Sequence, residues 1–218
     1  MTELPIHRVI PQLKLTLSQR NNAVLIAEPG AGKTTQVPLA LLNESWLEGK
    51  RIIMLEPRRI AARAAASFMA STLDEAVGET VGYRVRMDSK ISKNTRIEVV
   101  TEGVMTRMLQ EDPELIGIGM IIFDEFHERN LQADIGLALA LESQTVLRED
   151  LRLLVMSATL EAEPVAKLLG DAPVILSEGR AFPVSTHYLH SISLGCQERS
   201  GGQESRRRTL KGGSCQEG

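Results

Sequence analysis

The stretch Ala27-Glu28-Pro29-Gly30-Ala31-Gly32-Lys33-Thr34-Thr35 constrains this chain more than any other. The apolar run Ala23-Val24-Leu25-Ile26 leads into it, and a helix-like segment, Gln36 to Leu42, leads out. A strand, a glycine-rich turn and then Gly-Lys-Thr opening a helix form the frame that a phosphate-binding loop needs. Gly30 and Gly32 let the backbone bend until successive N–H groups point into one concavity, which suits phosphate oxygens. The helix N-terminus adds the positive end of its dipole. Lys33 then reaches the β- and γ-phosphates of a nucleotide, and the Thr34 hydroxyl can ligate Mg²⁺. The full pattern has glycine five residues before Gly32, where this chain has Ala27. The plain alternative is a glycine-rich turn that carries a surface lysine.

The rest of the chain alternates strand and helix signals. Arg51–Glu56 reads as a buried strand, broken by Pro57-Arg58-Arg59, and the alanine-rich stretch Ile60–Leu73 as a helix. Gly82–Arg86 reads as a short extended piece and Arg96–Thr101 as a strand, followed by a helix over 104–110 that Asp112-Pro113 stops. Gly119–Phe123 is another apolar strand, and Asp124-Glu125 stands at its C-terminal end. Asn130 caps a helix over 131–147, with Ile135, Ala138, Leu139 and Val146 expected on its core face. Leu151–Met156 and Pro173–Leu176 are strands; the helix between them, 160–169, ends on Gly170. Residues 1–22 are mixed and do not settle on one element. This alternation predicts an α/β fold with a mostly parallel, doubly wound sheet.

In such a sheet, the C-terminal strand ends share one edge, where ligands bind. Asp124-Glu125 therefore stands on the same edge as the phosphate loop. Asp124 is expected to hold Mg²⁺ opposite Thr34, and Glu125 to orient and deprotonate an attacking water. The alternative is a solvated acidic turn. Arg58 and Arg59 lie on that edge too, as ligand contacts or as ordinary helix-start solvation.

Composition narrows the classes. At 218 residues the chain suits one large domain or two small ones. A net charge of −3 gives no global pull toward nucleic acid, so any such contact must be a local patch. Cys196 and Cys215 are the two cysteines and make no disulfide framework or zinc spacing, which fits a reducing cytoplasm. No apolar run approaches a membrane span, and the N-terminus lacks a signal-peptide layout, so no membrane role is expected.

Five ordered motifs carry a resemblance. They are Gly30–Thr35; Glu56-Pro57-Arg58-Arg59-Ile60-Ala61-Ala62; Thr101-Glu102-Gly103-Val104-Met105-Thr106-Arg107; Asp124-Glu125-Phe126-His127-Glu128-Arg129; and Ser157-Ala158-Thr159. Together they resemble the first RecA-like domain of the DEAH-box ATP-dependent RNA helicases, over about residues 15–188. The Asp-Glu-Phe-His-Glu-Arg phrase with Leu55–Arg59 is similar to the bacterial HrpB subgroup in particular.

The resemblance implies a RecA-like P-loop NTPase domain that hydrolyses ATP with Mg²⁺ and moves along single-stranded RNA, with DNA as the alternative. It makes residues 27–35 the nucleotide contacts, Thr34 and Asp124 the metal residues, and Glu125 the base. It makes His127 a coupling histidine, although Phe126 replaces the alanine of the named box. Ser157 and Thr159 resemble the motif that links hydrolysis to domain movement. Arg58, Arg59, Thr101 and Arg107 resemble the backbone contacts to nucleic acid, which position a strand without reading it. Phe68 stands where relatives often place an arginine against the adenine ring. We expect its ring in the core, with stacking on the base as the alternative.

Residues 1–189 are expected to form the RecA-like domain. The segment 190–218 is glycine-rich, carries Arg206-Arg207-Arg208 and lacks apolar periodicity, so we expect it to be a disordered, non-family tail. A second RecA-like domain, which would bring arginine fingers, is not expected. The reading is the N-terminal motor half of an RNA helicase with very low activity by itself. A non-helicase P-loop ATPase or nucleotide switch, and a catalytically silent interaction fragment, stay open as alternatives.

Overall fold

Short runs such as Ile52-Ile53-Met54-Leu55 and Met120-Ile121-Ile122-Phe123 are apolar at every position, as strands covered on both faces must be. In the computed structural model, which describes residues 4–178 except 129, 160 and 161, they become the centre of an eight-stranded sheet. The tail over 190–218 and the boundary at 189 lie outside the described residues.

The strands are β1 (Asn22–Ala27), β2 (Arg51–Leu55), β3 (Val81–Val85), β4 (Asp88–Lys90), β5 (Ile97–Val100), β6 (Ile118–Phe123), β7 (Arg152–Ser157) and β8 (Val174–Ser177). The helices are α1 (Ile10–Gln19), α2 (Lys33–Leu41), α3 (Arg59–Thr72), α4 (Glu102–Glu111), α5 (Leu131–Val146) and α6 (Glu163–Leu168). The spatial order is β4-β3-β5-β2-β6-β7-β1-β8. Every neighbouring pair is parallel except β3 with β4, which is antiparallel.

Side-chain alternation splits the core in two. Leu25, Ile52, Met54, Val99 and Ile122 face one layer with Leu13, Val37, Leu41, Ala66 and Met69 from α1, α2 and α3. Val24, Ile53, Leu55, Ile121 and Phe123 face the other with Met105, Leu109, Leu137, Ala140 and Ala166 from α4, α5 and α6. The expected strands and helices appear within a few residues of their predicted bounds. Asn130 caps α5 by accepting from the Gln132 N–H, and α4 stops at Asp112.

Three details differ from expectation. The core face of α5 is Ala133, Gly136, Leu137, Ala140, Ser143 and Gln144, while Ile135 and Val146 are exposed. The buried face of α5 is built mostly of small residues, and a Cβ at Gly136 would make an ordinary 3.7 Å contact with the Phe123 ring. Gln144 is buried because it donates to the Leu151 carbonyl and to Asn22 Oδ1. Phe68 is not in the core; it is 54% exposed on the outer side of α3, whose buried face is Ala62, Ala65, Ala66, Met69 and Ala70. Strand β4 was not expected, because three polar residues carry no alternation to read.

Away from the strand ends, Arg148 ties three segments together. Its guanidinium donates to the carbonyls of Glu114, Leu115 and Ile118 and forms a two-point contact with Asp150 at 2.7 and 2.9 Å. Lys50 Nζ reaches the same carboxylate at 2.8 Å. The Arg148 bonds, then the Lys50 bond, hold the Asp150 carboxyl well below the usual carboxylate range. A depressed folded pKa stabilises the fold above the unfolded value and is lost as pH falls through the folded one. We predict that Asp150→Asn melts below wild type at pH 7. The gap should be full above about pH 4 and narrow only as the pH is taken well below that, measured by thermal melts across pH.

Candidate active site

Ala27 is the last residue of β1 and pairs with Ser177 of β8. It has no positive φ, so the position asks for a strand residue and alanine fits where the pattern has glycine. The turn that follows does need glycine: Gly30 and Gly32 have φ of 80° and 93°. A Cβ on Gly32 would also stand 2.9 Å from Leu4 Cδ1. That contact shows what the unsettled N-terminal residues do. Ile6 is fully buried and its N–H donates to the Ala31 carbonyl at 3.3 Å, so the first described residues brace the phosphate loop. The signal available in the sequence was the apolar pair Leu4 and Ile6, flanking Pro5.

Lys33 opens α2, is 4% exposed, and places Nζ 2.7 Å from Glu125 Oε1. Thr34 Oγ1 donates to Asp124 Oδ2 at 2.5 Å. The loop after β1 and the box after β6 thus meet, although β7 lies between their strands. Asp124 is fixed from two sides: its N–H continues the ladder to the Leu55 carbonyl at 3.0 Å, and its Oδ1 accepts from the Glu125 N–H at 2.8 Å. Glu125 has φ of 51°, a left-handed conformation that costs a non-glycine residue energy and persists only where its surroundings enforce it. The Lys33 ion pair and the Asp124 bond are that enforcement.

A threonine hydroxyl and a buried carboxylate side by side are hard oxygen donors, the kind that Mg²⁺ takes together with waters and phosphate oxygens. The donor set therefore fits Mg²⁺ held by Thr34 and Asp124. Among the described residues no cluster of three or more His, Cys, Asp or Glu suits a metal.

Burial pushes the Asp124 carboxyl up to about 6; the Thr34 bond and Lys33 oppose this and Glu125 adds to it. The same physics acts more strongly on Glu56, at the end of β2. It is buried, and desolvation, then the charges of Asp124, Glu125 and Glu128, push its carboxyl to about 8. In the sequence Glu56 belongs to a motif without an assigned role, and the signal is a charged residue ending an apolar strand.

His127 ties the box to the next motif. Its Nδ1 accepts from the Ala158 N–H at 3.2 Å, which leaves the proton on Nε2, 3.4 Å from Glu125 Oε2. Ser157 Oγ lies 3.4 Å from Thr159 Oγ1 and accepts from the Thr159 N–H at 3.2 Å. The link from Ser157-Ala158-Thr159 to the box runs through the Ala158 backbone, and the two hydroxyls shape that turn.

The expected nucleic-acid residues fall into separate places. Thr101 and Arg107 line one groove of about 620 Å³ with Arg84, Arg86, Met87 and Val104. Arg84 and Arg86 came from the extended piece read without a role. Arg58 points to Glu128, Nη2 to Oε1 2.6 Å. Neither Arg58 nor Arg59 is in the groove: with Ile60 and Arg63 they line an open depression at the start of α3. Arg107 pairs with Glu111 at 2.7 Å.

A model of the DEAD/DEAH box helicase family matches residues 7–168. The ATP-dependent RNA helicase HrpB of Escherichia coli (strain K12) is 53% identical over 189 residues, covering 87% of this chain and 23% of that protein. The DExH-box ATP-dependent RNA helicase DExH1 of Arabidopsis thaliana is 38% identical over 194 residues, covering 87% of this chain and 19% of that one. A crystal structure of the E. coli DEAH/RHA helicase HrpB superposes with a TM-score of 0.79 at 53% identity, over 83% of this chain and 23% of that one. The chain spans less than a quarter of the length of these relatives.

The Glu56 environment has a measurable consequence. Unfolded, the carboxyl ionises near 4.5; folded, near 8. Between those values the folded chain holds a proton that the unfolded chain has released, so stability falls as pH rises through the window. We predict that nucleotide-free Glu56→Gln lacks this contribution. Its melting temperature should fall less steeply than that of wild type between pH 5 and 8, and should be the higher of the two at pH 8.

Proposed function

This chain belongs to the DEAD/DEAH box helicase family, and we propose that it binds ATP with Mg²⁺, hydrolyses it slowly, and holds single-stranded RNA along its phosphates. One observation carries the reading: Lys33 against Glu125 and Thr34 against Asp124 put the phosphate loop and the acid pair in one pocket. Without nucleotide, Lys33 and Glu125 neutralise each other. A triphosphate draws Lys33 to its β- and γ-oxygens and frees Glu125 to accept a proton from water. The Nε2–H of His127 steadies the other oxygen of Glu125. Mg²⁺, when bound, neutralises phosphate charge; Thr34 and Asp124 are the protein ligands we assign to it.

Arg58, Thr101 and Arg107, joined by Arg84 and Arg86, are the residues we assign to the RNA backbone. Arg58 and Arg59 both lie outside the groove of Thr101 and Arg107, at the start of α3, and Arg59 is assigned an outer contact. The exposure of Phe68 favours a role against the nucleotide base over a core role. The described residues supply one wall of the phosphate site. An arginine finger is worth about 10³–10⁵ in rate, and in the helicase reading it comes from a further domain. The proposal for the 218-residue chain is therefore binding with little turnover and no unwinding. A nucleotide switch that ignores nucleic acid is separated from this reading by RNA binding.

We predict that Lys33→Ala loses most ATP affinity in calorimetry, whereas Glu125→Gln binds ATP at least as tightly as wild type, since it no longer competes for Lys33. Any hydrolysis should vanish in Glu125→Gln; retained turnover would remove Glu125 as the base. Steady-state turnover of the 218-residue chain should stay far below about 1 per second even with RNA. RNA binding should ignore sequence and weaken steadily with salt, because each phosphate contact releases counterions. A strong preference for one base sequence would overturn the backbone reading.

A further inference from the structure

We infer that Glu128 is a built-in competitor for the RNA phosphate: with no RNA bound it holds the Arg58 guanidinium, and the strand must displace it. The inference deepens the proposed function and rests on Arg58 being a phosphate contact. Arg58 Nη2 lies 2.6 Å from Glu128 Oε1, and the side chains are 71% and 33% exposed. The pair is open enough for a phosphate to reach it. Arg58 stands at the start of α3, where its guanidinium, a donor only, cannot cap the free N–H groups. Its ion pair therefore leads away from its own helix to the turn after β6.

That turn is what sets this pair apart. Glu128 ends the single 3₁₀ turn Phe126–Glu128, and its N–H donates to the Glu125 carbonyl at 3.0 Å. His127, beside it, reaches both Glu125 and Ala158. Arg107 also has an acid partner, Glu111, but Glu111 lies on α4 and belongs to no part of the catalytic turn. Glu128 thus joins the Arg58 segment to the residues around the γ-phosphate position. Once a phosphate takes Arg58, Glu128 loses the ion pair that holds it, and the turn it ends includes His127 and is bonded directly to Glu125. Phosphate binding is in this way felt at the catalytic base through three consecutive contacts.

The test is a double-mutant cycle on the full 218-residue chain, using fluorescence anisotropy with a labelled twelve-nucleotide oligouridylate at low salt. Melting curves confirm that each variant folds, and Glu128→Ala is carried beside Glu128→Gln. Arg58→Ala should weaken binding. Glu128→Gln and Glu128→Ala should tighten it by about two- to five-fold, the scale on which exposed ion pairs act. In the Arg58→Ala background the same changes should do nothing. Bound oligouridylate should also shift ATP affinity in wild type and shift it less in Glu128→Gln, a coupling that a purely structural ion pair would not produce. Equal tightening with and without Arg58 would mean Glu128 acts by general repulsion, and would overturn the inference. An Arg58→Ala variant that binds RNA as wild type does would overturn the phosphate reading of Arg58 itself, and that single variant shows which of the two has failed.

Discussion

Everything at this site depends on a constraint of parallel sheets: all strands end on one edge, so loops far apart in sequence arrive side by side. Read across the sheet in the order β5, β2, β6, β7, β1, the loops carry Thr101, Arg58, Asp124-Glu125, Ser157-Ala158-Thr159 and the phosphate loop. Residues assigned to nucleic acid stand at one end, those assigned to nucleotide at the other, and the acid box lies between them. The Lys33–Glu125 contact spans 92 residues of sequence and 2.7 Å of space. The strand order makes that possible, and the wholly apolar centres of β2 and β6 hold the strand order in place.

How much of this could be read in advance followed the range of the signal. The phosphate loop, the Asp124-Glu125 pair and the Asn130 cap are local: a few adjacent residues specify a turn, a strand end or a capping bond. The turn at Gly30 and Gly32, the strand end before Asp124 and the Asn130 cap have the expected backbone geometry. The faces of helices were harder. Helix α5 is apolar nearly all round, so several phases of its pattern fit equally well. The face that is buried is one of small residues, Ala133, Gly136 and Ala140 among them, with Gln144 buried because its polar groups are satisfied. Neither signal is a large apolar side chain, and a reading that looks for large apolar residues selects the wrong side. Phe68 went wrong for the same reason: a large ring was assigned to the core, while the alanines and Met69 around it form the buried face of α3.

The N-terminal brace and Glu56 were illegible for a different reason. Each matters through a partner distant in sequence. Nothing near Ile6 announces the Ala31 carbonyl, and nothing near Glu56 announces Asp124, Glu125 and Glu128. Glu56 does break the apolar run of β2, so an anomaly was visible, but its meaning required the neighbouring strand.

The concentration of carboxyls at this edge carries a further physical implication. Glu56, Asp124, Glu125 and Glu128 lie close enough to influence one another, and among the described residues Lys33 and Arg58 are the cations bonded to them. Such a cluster is costly unless cations attend it, because each carboxylate raises the cost of ionising the next. Lys33 and Arg58 each have a second partner in the proposed reaction, a nucleotide phosphate for one and a nucleic-acid phosphate for the other. On the proposed function, either ligand would take a cation from the cluster, and the remaining carboxyls would have to rearrange, take up a proton or gain a metal. The two proposed ligands would then draw on one shared pool of positive charge. Coupling between them would need no long mechanical path, because both phosphates would compete with the same group of acids.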